Sequence, residues 1–449
     1  MNPSRLWAMR SVLASLCLAS ALGACDGSPI GAGGIGDSKR PSLPDTGLRS
    51  ERPPESGLAA PRAGAPGPAV VFREVDLGEL GSDGIDVAVA DGLWGGSGNP
   101  EDLDGDGIDD VVLAAKGGQV FKLAGRDASL PVPELIFSGG GAYSTAGVFI
   151  SVDDLALARW YNGDWVRLSK SGSGWSQSRV SVPDPEVPAG LTGFERWHDA
   201  AGFVDPVTGR KTVVLRHETW PPKETYGAPT AIFQLQDDRW THAIVDDTVR
   251  GGGLALGDVD GDGRPDILVG GGTWFRNPGD VFTTWSRHRY AQQIGHDHAL
   301  ATADVDEDGD ADLVVTHSEV SSIGLAWYEN PGDLRTDADQ LWVEHVVDAA
   351  SPKSHGLVAD DLNGDGHVDL FVASFDESGR RGGFVYHGDG EGGFHDQTQV
   401  TDKATHNTVS ADLNHDGLPE LILKRHFDNH VWILENRTPV ASPLLPRSR

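Results

Sequence analysis

Five segments of the chain place oxygen-bearing side chains at one fixed spacing. The first holds Asp102, Asp104, Asp106 and Asp110; the second holds Asp258, Asp260, Asp262 and Asp266. The third holds Asp304, Asp306, Asp308 and Asp312; the fourth holds Asp361, Asn363, Asp365 and Asp369. The fifth holds Asp412, Asn414, Asp416 and Glu420. These residues occupy positions 1, 3, 5 and 9 of each segment, with glycine at position 6. A hard divalent cation needs such a set. Calcium takes six to eight oxygens at about 2.3–2.6 Å, and a tightly turning loop aims alternate side chains at one point. Without a cation the carboxylates repel one another, so the spacing predicts Ca²⁺ at about five sites. Position 12 is apolar in every segment (Leu113, Val269, Val315, Val372, Leu423), where a helix–loop–helix calcium site would carry a bidentate glutamate. The flanks are short strand-like runs such as DILVG and DLFVAS.

Histidines form a second set. Six residues before position 1 stand His298, His355 and His406 in the last three segments. The other repeats carry Gly96, Gly147, Asp199 and Gly252 at that point. Three imidazoles from neighbouring repeats are suited to Zn²⁺ or Mn²⁺, with a position left for water or substrate. A neutral histidine there can also serve as a general base. The bland alternative is that they line a wet channel.

The elements that position these residues repeat with a period of about 50 residues. First positions fall at 102, 258, 304, 361 and 412, and the long first gap spans three periods. Two degenerate repeats are therefore expected near Asp153 and Asp205, each followed by a strand-like run (LALARW, KTVVLRH). Seven repeats result. Trp274-Phe275 and Trp327-Tyr328 lead into the turns Asn277-Pro278-Gly279 and Asn330-Pro331-Gly332. An outer strand that opens with Trp follows in WSQSRV, WTHAIV, WSRHRY and WVEHVV. The last repeat lacks this strand, and VVFREVDL, at 70–77, has its pattern.

These repeats resemble the FG-GAP and VCBS families, whose calcium loops join the first two strands of β-propeller blades. The resemblance implies an all-β, seven-bladed β-propeller over residues 69–438, closed by its N-terminal strand. A ring of blades leaves only short, protected edges. In such a fold the start of each first strand and the end of each second strand meet on the face opposite the calcium loops. His298, His355 and His406 are then joined by His317, by His217 and Glu218, and by Arg425 and His426. His198, His296 and Asp297 lie beside them.

Three functions fit. The first is a module binding carbohydrate or protein at the histidine face. The second is a metal-dependent sugar lyase or dehydratase. The Trp-Tyr-Glu-Asn-Pro-Gly style of repeat is similar to the propeller of aldos-2-ulose dehydratases; in this reading His298, His355, His406 and His317, placed by their register, are the catalytic candidates, with Lys353, Lys424 and Arg425 nearby. The third is an integrin-like adhesive or structural propeller, in which the calcium loops matter and the histidines do not.

The 449-residue chain carries a formal charge of −31 and no long basic run, which argues against nucleic acid as a partner. Its 59 glycines and 27 prolines favour turns and short strands. Arg5 and Arg10 precede the apolar run SVLASLCLASALG, and Leu22-Gly23-Ala24-Cys25 looks like a bacterial lipobox. Residues 1–24 are expected to be a lipoprotein signal peptide, with Cys25 lipidated. The mature chain then keeps no cysteine for a disulfide. Residues 25–68 read as a flexible Gly/Pro/Ser-rich tether, and 439–449 as a tail. The expectation is a monomer in the bacterial cell envelope, lipid-anchored, periplasmic or at the cell surface.

Overall fold

The computed structural model describes residues 68–80, 85–86, 89–90, 102–115, 118–139, 143–159, 165–180, 195–219, 229–236, 239–249, 251–292, 298–317, 324–351, 354–374, 381–405, 407–425 and 430–439. The expected signal segment, Cys25, nearly all of the tether and most of the tail lie outside these residues.

Seven sheets, antiparallel but for one short parallel pair, follow one another along the chain, and no helix occurs among the described residues. Blade 4 shows the pattern. Its strands Leu254–Gly257, Asp266–Val269, Thr273–Arg276 and Ser286–Arg289 pair in sequence order. Blade 5 repeats it with His298–Ala303, Asp312–His317, Leu325–Glu329 and Val343–Asp348. Blade 6 uses Ser354–Asp360, Asp369–Ser374, Gly383–Gly388 and Phe394–Thr401. The two degenerate repeats form blades in full. Blade 2 runs from Tyr143–Ser151 to Gly174–Val180, and blade 3 from Glu195–Val204 to Arg239–Asp246.

Blade 7 is built from both ends of the domain. Asn407–Ala411, Glu420–Lys424 and His430–Asn436 are completed by Phe72–Glu79, antiparallel to His430–Asn436. The Arg437 amide donates to the Val71 carbonyl at 2.7 Å, and the Val71 amide donates to Thr438 Oγ1 at 3.0 Å. This is the closure predicted from VVFREVDL. It joins the two ends of the propeller without a disulfide.

Blade 1 departs from the expected spacing. Its innermost strand is Ile85–Asp86, well before the loop that starts at Asp102. Val89–Ala90 pairs in parallel with the inner strand of blade 2, giving that sheet five strands. Counting six residues back from Asp102 reaches Gly96, which lies outside the described residues.

The core is a set of seams between blades. Each of seven apolar clusters joins two neighbours. Leu254, Leu256, Ile267 and Val269 pack on blade 3, while Ala255, Leu268 and Trp274 pack on blade 5. Alternate residues of a strand point to opposite faces, and here both faces meet another blade. That is why the runs DILV and DLFVAS are apolar at nearly every position. Trp285 and Trp342 are buried just ahead of their outer strands, while Trp175 and Trp240 lie inside theirs and are partly buried.

Candidate functional site

Each acidic segment forms the loop between the first and second strands of its blade, and its position-9 residue opens the second strand. One hydrogen-bond scheme recurs in all five. The position-6 glycine amide donates to position 1: Gly107 to Asp102 at 2.7 Å, Gly263 to Asp258 at 2.7 Å, Gly309 to Asp304 at 3.1 Å, Gly366 to Asp361 at 2.8 Å, and Gly417 to Asp412 at 3.0 Å. These glycines have φ between 87° and 97°, a conformation that strains any residue with a Cβ. The position-5 carboxylate accepts the position-7 amide, as in Arg264 to Asp262 at 3.0 Å and His367 to Asp365 at 2.9 Å. Both oxygens of Asp102, Asp258, Asp361 and Asp412 accept loop amides, so the loop closes around its first acid.

Position 9 clamps the loop to the sheet. Asp110, Asp266, Asp312, Asp369 and Glu420 are all buried. Asp266 accepts the amides of Val259 at 3.2 Å and Asn277 at 2.7 Å; Asp312 accepts those of Val305 at 2.9 Å and Asn330 at 2.8 Å. Burial dominates their titration. It pushes Asp110 to about 6, Asp312 to about 7 and Glu420 to about 8, and it raises Asp266 and Asp369 as well. Asp304, Asp306 and Asp310 are raised by burial, with neighbouring carboxylates adding to it.

The residues fit a calcium ion. In blade 1 Asp102, Asp104 and Asp110 each offer an oxygen within 4.8 Å of the others; so do Asp258, Asp260 and Asp262, and Asp304, Asp306 and Asp308. An ion with oxygens at about 2.3–2.6 Å reaches across such a span. Three buried oxygens at loop positions 1, 9 and 3 have no hydrogen-bond donor among the described residues: Asp304 Oδ1, Asp369 Oδ2 and Asn414 Oδ1. A buried acceptor left without a donor is costly, and a cation satisfies it.

Two features of the loops are not evident from the acidic pattern. Position 4 is left-handed as well, with φ of 81° at Gly105 but also 56° at Glu307 and 55° at His415. Both non-glycine side chains reach the next blade. Glu307 meets His367 Nδ1 at 2.5 Å, and His415 Nδ1 meets Asp127 at 2.9 Å. Second, an asparagine at the end of the third strand ties loops to each other. Asn330 Nδ2 donates to Val259 O of blade 4 at 2.8 Å, and Asn436 Nδ2 donates to Leu362 O of blade 6 at 2.8 Å. In the degenerate blade 2 the Asp153 amide takes that part, donating to Leu103 O at 2.7 Å. The signal was in the sequence, as the shared spacing of Trp-Phe-Arg-Asn, Trp-Tyr-Glu-Asn and Ile-Leu-Glu-Asn.

The histidine face is described only in part. His298 is the ladder partner of His317. In blade 6 Ser354 pairs Ser374 and Gly356 pairs Ala373, so His355 is an extra residue in a bulge and does not share the ladder position of His298. That departs from the strict register expected of the three. His355 is half-buried. The side chains of His298, His317, His198, His217 and Glu218 lie outside the described residues, as do His296, Asp297, Lys353, His406 and His426 entirely. Lys424 is fully buried and Arg425 half-buried. Among the described residues, the groups whose ligand atoms converge are all aspartates.

Fold and loops together define a seven-bladed β-propeller carrying FG-GAP-like repeats. The FG-GAP-like repeat family matches residues 258–315 and 361–423, which hold four of the five acidic loops. Integrin alpha-PS2 of Drosophila melanogaster is 27% identical over 249 residues, covering 44% of this chain and 17% of that protein. The chain thus spans a small part of the length of this relative. Among solved structures, the Dos1 propeller aligns with a TM-score of 0.47 at 10% identity, covering 82% of this chain and 95% of that one. YCF48 bound to D1 peptide aligns with a TM-score of 0.45 at 12% identity, covering 84% and 99%. A gluconolactonase from Xanthomonas campestris aligns with a TM-score of 0.39 at 11% identity, covering 83% and 98%.

Proposed function

We propose that this chain is an extracytoplasmic calcium-binding β-propeller, held to a membrane by a lipid on Cys25, that serves as a binding module for a carbohydrate or protein ligand. The observation that carries the calcium reading is the orphaned buried oxygen Asp304 Oδ1 in a loop where Asp304, Asp306 and Asp308 converge, with Asp369 Oδ2 and Asn414 Oδ1 orphaned in the equivalent loops of blades 6 and 7. Calcium would be held by positions 1, 3, 5 and 9 of each loop. It supplies the positive charge that lets buried acids ionise, and so fixes the loops against the sheet. The histidine face, where His298 stands across the ladder from His317, supports the ligand reading. The lipobox-like Leu22-Gly23-Ala24-Cys25 supports the anchor.

The test is native mass spectrometry of the purified domain, residues 61–449, with thermal unfolding in calcium and in chelator. Bound calcium with a large gain in melting temperature supports the reading. A melting temperature indifferent to chelator would sink it.

A further inference from the structure

We propose that the five calcium loops are of two kinds, because Lys122 and Arg276 act as resident counter-ions in blades 1 and 4; this rests on the calcium reading above. Lys122 Nζ donates to Asp104 Oδ2 at 2.6 Å, and Arg276 Nε stands 2.7 Å from Asp260 Oδ2. Asp104 and Asp260 are both position-3 ligands, inside the converging carboxylate groups. Neither cation is a loose surface group. Lys122 is buried in the third strand of blade 1, and the Arg276 guanidinium also donates to the Leu334 carbonyl and lies 5.7 Å from the Trp274 ring centre.

Blade 5 reverses the sign at the same place. Arg276 follows Trp274-Phe275, and Glu329 follows Trp327-Tyr328. Glu329 adds negative charge beside Asp306 instead of neutralising it. In blades 6 and 7 the position falls to His387 and Glu435. Among the described residues no Lys or Arg side chain pairs with an acid of the Asp304, Asp361 or Asp412 loops; Arg126 meets the Asp412 loop through its backbone amide, which donates to the Leu413 carbonyl at 2.9 Å. The orphaned oxygens, at Asp304, Asp369 and Asn414, are confined to these three loops. The loops with an internal cation have none. Two independent observations therefore divide the sites in the same way.

A calcium ion entering blade 1 or 4 must displace a fixed cation or bind beside it, and like charges repel across a few ångströms. Blades 5, 6 and 7 fill first, and blades 1 and 4 tolerate calcium depletion.

Calcium titration followed by native mass spectrometry tests this. Three ions are expected at low calcium, with two more at concentrations about tenfold higher or beyond. Lys122→Gln and Arg276→Gln should each move one ion from the weak class to the tight class. Glu329→Arg, at a half-exposed side chain, should move one ion the other way. It also keeps the test decisive if the buried variants fail to fold. Five ions with a single affinity, or Glu329→Arg without effect on the ion count at low calcium, would overturn the division while leaving calcium binding intact. No bound calcium at any concentration would overturn both.

Discussion

Asn330 of blade 5 donates its side-chain amide to the Val259 carbonyl of blade 4, at 2.8 Å, one residue past the first acid of that loop. The same amide reaches the Ala311 carbonyl at 3.0 Å in its own blade, and its oxygen accepts the Gly332 amide at 3.0 Å. Asn330 is buried, so Asn330→Ala leaves several groups unsatisfied. At about 1–3 kcal/mol for each, a loss of about 2–4 kcal/mol is expected in denaturant unfolding. Calcium affinity in blade 4 should fall too, although Asn330 is no ligand. Unchanged calcium binding would show that the blade seam does not shape the loop.

Protonation should oppose calcium. The position-9 carboxyls are raised in the folded state, Asp312 to about 7 and Glu420 to about 8. Between about pH 4 and pH 8 the native protein therefore holds protons that the unfolded chain has released, and stability without calcium falls as pH rises through that window. In chelator, melting should be higher at pH 5 than at pH 8, by about 5 °C or more. Calcium binds the ionised form, so its stabilising effect should be larger at pH 8. Equal melting at the two pH values in chelator would refute the assignment of these acids.

Asp306→Ala should remove one ion and spare the rest. Each site adds about 2.7 kcal/mol at a hundredfold excess of calcium over Kd. The variant should lose about that much calcium-dependent stability and show one ion fewer at saturation. Loss of several ions together would mean that the loops are coupled more tightly than their separate hydrogen-bond sets imply.

Removing residues 68–79 should open the ring. It strips the ladder partner from His430–Asn436 and breaks the Arg73–Glu435 ion pair. The newly exposed edge of His430–Asn436 invites pairing between chains. Aggregation or a marked drop in melting temperature is expected in size-exclusion and thermal experiments. A stable monomer would argue against closure as the source of stability.

His355→Ala should leave calcium content and melting nearly unchanged, because the Asp361 loop lies at the other end of its strand. Binding of a carbohydrate or protein ligand, screened on arrays in calcium, should weaken. An unaffected ligand profile would move the ligand site off the histidine face.

The sequence by itself determined the acidic-loop pattern, the period and the closing strand. Those signals are local: a loop needs its acids at fixed spacing, a strand buried on both faces needs apolar residues throughout, and a missing fourth strand leaves a countable gap. Even the degenerate blades were found this way, since Asp153 and Asp205 keep the turn without the ligands. Only the tertiary structure decided what the loops touch. Lys122 lies 18 residues from Asp104, Asn330 lies 71 residues from Val259, and His367 lies 60 residues from Glu307. The first depends on how the third strand of a blade lies against that blade's own loop, and the other two on which blade packs beside which and how far a side chain reaches across the seam. The bulge at His355 is of the same kind: one extra residue shifts a side chain out of register, and nothing in the local composition marks it.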